Sequence, residues 1–232
     1  MNKVSPSNNL TKSPHNSKKL IILDYDGVIV DSFPTQYEVY KVICQKLGKK
    51  IQPTIEEYSK AFSVGYIPYR ASVGITTPYE FKIADKLYEE EVLKHKPPLF
   101  GGIKEVLLEL EKKYLIVLVS ANFKINVIDK LLHYQIHHHF SHLIGLEANN
   151  TEPMDKAVEI KKLLLELDIR AKDAVMIGDR NNDYFEAKGA GLDKIILTNY
   201  GWGFDREKTF DRVKVEVNKP SDILVALKSI NF

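Results

Sequence analysis

The chain alternates short apolar runs with longer stretches of helical spacing. Leu20–Leu23, Leu115–Val119, His142–Leu146, Ala174–Ile177 and Lys194–Leu197 are short, largely apolar runs bounded by polar or turn-forming residues. Such runs predict strands buried on both faces of a parallel sheet. Between them, apolar residues recur at spacings of three and four. Ile103, Val106, Leu107 and Leu110 share one helix face, as do Val127, Ile128, Leu131 and Leu132, and then Ile160, Leu163, Leu164 and Leu167. Alternating strands and helices predict an α/β fold with a Rossmann-like parallel sheet covered on both sides. Val213, Val215 and Val217 alternate with polar residues and predict a further edge strand.

Residues 34–96 break this rhythm. Pro34 can open a helix, with Tyr37, Tyr40, Ile43 and Leu47 as its apolar face and Gly48 as its stop. Thr77-Pro78-Tyr79-Glu80 has capping-box spacing with proline at the first helical position, and the helix it opens can run to about Lys94. The segment reads as an all-helical insert, or cap, joined by two hinges next to the end of the first strand. The α/β core is then residues 19–33 and 97–232. Residues 1–18 are rich in Lys, Ser and Asn, contain no acidic or aromatic residue, and are expected to form a disordered tail.

Composition narrows the choice. At 232 residues, 44% hydrophobic and 28% charged, the chain is long enough to fold on its own apolar core. Its single cysteine, Cys44, excludes a disulfide framework and a cysteine-rich zinc site, and fits the cytoplasm. A net charge of +2 gives no argument for nucleic acid. No apolar run approaches the roughly 20 residues of a membrane span.

Ligands of open α/β sheets bind outside the carboxyl ends of the strands. There the sequence places Asp24, Asp26 and Asp31-Ser32 after the first strand, Ser120-Ala121-Asn122 after the second, and Gly178-Asp179 through Asp183 after the fourth. Several carboxylates converging on one crevice repel each other, and a divalent cation relieves that. Oxygen ligands with no Cys or His beside them select Mg²⁺. Five histidines lie between His133 and His142, but His137-His138-His139 are consecutive and cannot all face one ion, so this stretch reads as a surface loop.

Asp24-Tyr25-Asp26-Gly27-Val28-Ile29-Val30-Asp31-Ser32 resembles the first motif of the haloacid dehalogenase superfamily. Ser120 resembles its second motif, Lys156 its third, and Gly178-Asp179 through Asp183 its fourth, in the same order. The insert resembles the small cap of the phosphoglycolate phosphatase and β-phosphoglucomutase branch. Lys156 is followed by Ala157 where proline is commoner, which leaves Lys161 and Lys162 as alternatives.

The resemblance implies an Mg²⁺-dependent phosphatase acting on a small phosphorylated metabolite through an aspartyl-phosphate. It implies Asp24 as nucleophile and Asp26 as general acid and base. Asp24, Asp179 and the Asp26 carbonyl would be metal ligands, with Asp183 behind them holding a metal-bound water or orienting Lys156. Ser120 and Lys156 would hold the phosphoryl oxygens; Asn122 would assist them or cap the next helix. Tyr66, Tyr69 and Arg70 are the candidate substrate contacts in the cap, with ordinary packing as the alternative. A sugar-phosphate mutase of the same branch and a catalytically inactive regulator are the rival readings.

Overall fold

The computed structural model describes residues 19–49, 54–64, 70–71, 73–147, 154–202 and 215–232. The tail, Tyr66, Tyr69 and Val213 lie outside the described residues. The elements of the core are β1 (Leu20–Leu23), α4 (Ile103–Glu111), β2 (Leu115–Phe123), α5 (Lys124–His133), β3 (His142–Leu146), α6 (Lys156–Glu166), β4 (Ala174–Gly178), α7 (Asn181–Gly189), β5 (Lys194–Thr198), β6 (Val215–Val217) and α8 (Asp222–Ser229). Between β1 and α4 lie α1 (Phe33–Lys46), α2 (Ile55–Val64) and α3 (Pro78–Val92). Among the described residues, no helix is long and apolar enough to cross a membrane.

Among the described residues, six parallel strands form one sheet in the order β3-β2-β1-β4-β5-β6. The period of two along each strand sorts its side chains to opposite faces. Ile21 and Leu23 pack with Ile116, Leu118, Val175 and Ile177, covered by α4, α5 and α8. Leu20 and Ile22 pack with Val117, Val119, Ala174 and Met176, covered by α6 and α7. Central strands must satisfy both faces, which is why β1 carries four apolar residues in a row, all buried. Each such buried side chain contributes roughly 1.5–3 kcal/mol.

The helical insert has an apolar core of its own. Val39, Tyr40, Ile43, Cys44, Tyr58, Val73, Ile75, Ala84, Tyr88 and Val92 are its buried members, and Phe123 of β2 packs against them. α3 opens on the expected capping box between Thr77 and Glu80. The two connecting segments are hydrogen-bonded to one another: Asp31 N–H donates to the Pro98 carbonyl and Phe100 N–H to the Ile29 carbonyl.

Three expectations are corrected. Leu132 is half-exposed, and the buried face of α5 is instead Asn126, Val127, Lys130 and Leu131. His139 is buried against Glu111 rather than lying on a surface loop, although His137 and His138 are exposed. β2 runs on through Phe123 with a register shift between Val119 and Phe123, so Ser120–Asn122 lie within an irregular strand end and not after it.

Candidate active site

β1 is central, and its neighbours β2 and β4 leave it in opposite directions along the sheet. The crevice at this switch point is where ligands of such sheets bind. It gathers Asp24 from β1, Ser120 from β2, Lys156 from the start of α6, and Asp179 and Asp183 from the β4–α7 turn; all five are buried.

Lys156 ties the cluster together. Its Nζ donates to Asp24 Oδ2 at 2.8 Å and to Asp183 Oδ1 at 2.8 Å. Lys161 and Lys162 are exposed, and Lys162 pairs with Glu159. The remaining oxygen of Asp183, Oδ2, accepts the backbone N–H groups of Asp179 (3.1 Å) and Arg180 (3.0 Å), which closes the turn into α7. Asp24 Oδ1 accepts the Tyr25 N–H at 2.7 Å.

Glycines let these carboxylates sit so close to backbone. Gly27 has φ +77°, and a Cβ there would lie 1.9 Å from Asp179 Oδ2. At Gly201 a Cβ would lie 2.3 Å from the Gly27 carbonyl and 2.6 Å from Asp179 Cβ. The next N–H, of Trp202, donates to Asp179 Oδ2 at 2.7 Å.

Asp26 is turned to the other side. Its Oδ2 accepts from Asn122 Nδ2 at 3.2 Å, while the Asn122 oxygen accepts the Phe123 N–H at 2.8 Å. Asn122 therefore ties Asp26 to β2, and no side chain caps α5. Arg70 lies buried in the insert, where it pairs with Asp85 and stacks over Phe81.

Three buried carboxylates share one ammonium, and the protonation equilibria reflect it. Burial pushes the Asp24 carboxyl well above its ordinary range, against the pull of Lys156. Burial, reinforced by Asp183, pushes Asp179 up to about 8. Burial works on Asp183 too, but Lys156 holds it below its ordinary value. Lys156 itself is disfavoured by burial, yet Asp183 and Asp24 raise it above its ordinary value.

This arrangement fits a hard divalent cation. Carboxylate oxygens of Asp24, Asp179 and Asp183 lie within 4.8 Å of one another, and Asp179 Oδ1 is buried with no hydrogen-bond partner among the described residues. A cation would neutralise the surplus charge and take up the orphaned oxygen.

The haloacid dehalogenase-like hydrolase family model matches residues 21–197. The chain belongs to that family. A phosphoglycolate phosphatase of Psychrobacter arcticus is 29% identical over 203 residues, covering 82% of this chain and 87% of the relative. A phosphorylated carbohydrates phosphatase of Thermotoga maritima is 24% identical, covering 90% and 98%. A haloacid dehalogenase-like family hydrolase of Streptococcus pneumoniae superposes with a TM-score of 0.70 at 20% identity, covering 90% and 98%.

Sequence reasoning missed Glu186 of this hydrolase site, and it singled out Trp202 between its glycines but left its role open. Glu186 lies close enough to Lys156 and Asp183 to feel both, and burial raises its carboxyl to about 7. Its signal was a place one helical turn after Asp183. Trp202 contributes its backbone N–H, which no residue type announces; only the flanking glycines hinted at a close approach.

Proposed function

We propose that this chain is an Mg²⁺-dependent phosphatase that hydrolyses a small phosphorylated metabolite in the cytoplasm through an aspartyl-phosphate. The observation that carries the reading is the convergence of Asp24 and Asp179 from adjacent strand ends, with Lys156 beside them and Asp179 Oδ1 left unpartnered among the described residues. Relatives that hydrolyse phosphate esters support it. Cys44, reduced and buried, agrees with the compartment.

Asp24, Asp179 and the Asp26 carbonyl would hold the Mg²⁺, with Asp183 behind them. When bound, the ion offsets negative charge on the phosphoryl group and the carboxylates. A carboxylate oxygen of Asp24 attacks phosphorus as the bond to the leaving oxygen breaks. Asp26, whose carboxyl burial raises, gives that oxygen a proton. It then takes one from the water that cleaves the aspartyl-phosphate. Lys156 and Ser120 hold the phosphoryl oxygens while charge moves onto them. The helical insert closes over the crevice and keeps stray water from the intermediate.

The test is turnover of p-nitrophenyl phosphate. Mg²⁺ is expected to activate, EDTA to abolish activity, and Asp24→Asn to remove it in a folded protein. No halide is expected from 2-chloropropionate. Full activity in EDTA, or halide release, overturns the reading.

A further inference from the structure

Gly201-Trp202-Gly203 follows β5, and the two glycines leave the indole as the one side chain that can anchor this stretch. The loop leading into it is laid across the turn of the first motif. Thr198 Oγ1 donates to the Gly27 carbonyl at 3.1 Å, and the Tyr200 hydroxyl to the Val28 carbonyl at 3.1 Å. The Tyr200 ring meets Phe100, on the return connection from the insert, edge-on at 4.7 Å. Trp202 comes next in this alternation. Its backbone N–H holds Asp179 Oδ2, and its indole meets the ring of Phe33 edge-on at 5.5 Å. Phe33 opens α1, and its ring lies 5.2 Å from that of Tyr58, a fully buried member of the insert's core. The Arg180 guanidinium lies 5.7 Å from the centroid of the same indole. Trp202 thus touches the insert with its ring and a candidate metal ligand with its backbone.

We propose that Trp202 is a positioning residue for Asp179: its indole, seated on Phe33, fixes the N–H that orients the carboxylate for a divalent cation. The proposal rests on the phosphatase reading only through Asp179 as a metal ligand. With Oδ2 held by the Trp202 N–H, Oδ1 has no hydrogen-bond partner among the described residues and is left for the ion. A metal ligand held from behind binds its ion more tightly, and losing such a partner typically costs about 10–100-fold in affinity. The N–H itself survives replacement of the side chain by leucine or phenylalanine. What the indole supplies is therefore the place of the N–H and not its presence. Because Phe33 belongs to the insert, metal affinity in the core is coupled to the seating of the insert, and the coupling acts in both directions.

The experiment measures the dissociation constant of Mn²⁺ by electron paramagnetic resonance, without substrate. Mn²⁺ accepts the same octahedral oxygen ligands as Mg²⁺. Trp202→Leu keeps the N–H but loosens it, so Mn²⁺ is expected to bind about fivefold more weakly, less than full loss of the bond would cost. Trp202→Phe keeps a ring against Phe33 and is expected to stay within about twofold of wild type. Phe33→Leu leaves every candidate metal ligand untouched and is expected to weaken binding as much as Trp202→Leu does. The double variant is expected to be no weaker than either single one, because both act through one contact. Thr77→Ala weakens the insert elsewhere; it is expected to lower Tm and leave the Mn²⁺ affinity unchanged. Wild-type affinity in Trp202→Leu, losses that multiply in the double variant, or an equal loss in Thr77→Ala overturns the proposal. If Asp179→Asn loses Mn²⁺ and Trp202→Leu does not, only the role of Trp202 falls. If Asp179→Asn binds Mn²⁺ as wild type does, the metal assignment falls and the proposal with it. Should Trp202→Leu not fold, Phe33→Leu decides: weaker binding supports the proposal, and unchanged affinity overturns it.

Discussion

Replacing Lys156 with methionine removes one buried charge and keeps most of the side-chain stem. Lys156 is 5% exposed, and its ammonium serves both Asp24 and Asp183 at 2.8 Å. Removing one partner of a buried ion pair costs roughly 3–5 kcal/mol. Asp24 and Asp183 can each take up a proton when the lysine is lost, which holds the cost near the lower end, about 3 kcal/mol. For a chain of this size that is roughly 6–12 °C in Tm. The pH dependence follows from Asp183. Lys156 holds its carboxyl below the ordinary value of 3.8 against the effect of burial. A lowered carboxyl contributes stability that is present above 3.8 and lost as pH falls through the folded value. Lys156, raised, contributes stability that is lost only as pH rises far above neutrality. The difference between wild type and variant is therefore full at pH 7 and shrinks toward pH 4, as the stranded carboxylates of the variant protonate. Urea unfolding followed by circular dichroism at pH 7 and pH 4, in EDTA, measures it. Adding Mg²⁺ should also narrow the difference, because the variant's denser negative charge binds the cation more strongly. A difference below about 0.5 kcal/mol at pH 7, the range of surface substitutions, would refute the reasoning. An equal difference at both pH values would refute it too.

Asp179→Asn should melt several degrees above wild type at pH 8 without metal. A carboxyl raised to about 8 by burial and Asp183 makes its ionised form a growing penalty between 3.8 and that value, so the gain should vanish toward pH 4. The same variant should lose the Mg²⁺-induced rise in Tm, read by scanning fluorimetry. Gly27→Ala should cost about 1–2 kcal/mol for its left-handed backbone. It should also lower kcat by about 100-fold or more by displacing Asp179, since an ångström of misplacement costs that much. Gly48→Ala is the control: it shares the left-handed φ at +65° with nothing within 4 Å among the described residues, so it should lose stability and keep its kcat. Thr77→Ala breaks the capping box of α3 and should cost about 1 kcal/mol in urea unfolding, with Mg²⁺ dependence unchanged.

The strands were legible because a central parallel strand must be apolar on both faces, and few other segments of four or five residues are. The helices were legible from their spacing, except where a polar residue occupies the buried face. Asn126 and Lys130 on α5 follow no apolar pattern; both are buried, Lys130 reaching the Leu93 carbonyl at the end of the insert. The same rule hid His139, whose partner Glu111 is 28 residues away.

The sequence by itself determined which chemistry the chain can perform. Carboxylate and hydroxyl side chains at three strand ends are a property of residue type and of order along the chain. The tertiary structure decided how those residues share charge. It chose Lys156 from three neighbouring lysines, turned Asp183 toward that lysine and its own turn, and aimed Asp26 at Asn122. It also seated Asp179 against Gly27 and the Trp202 N–H. These contacts join segments up to 152 residues apart, from Gly27 to Asp179. Their strength depends on the exclusion of water, which only the packed crevice provides.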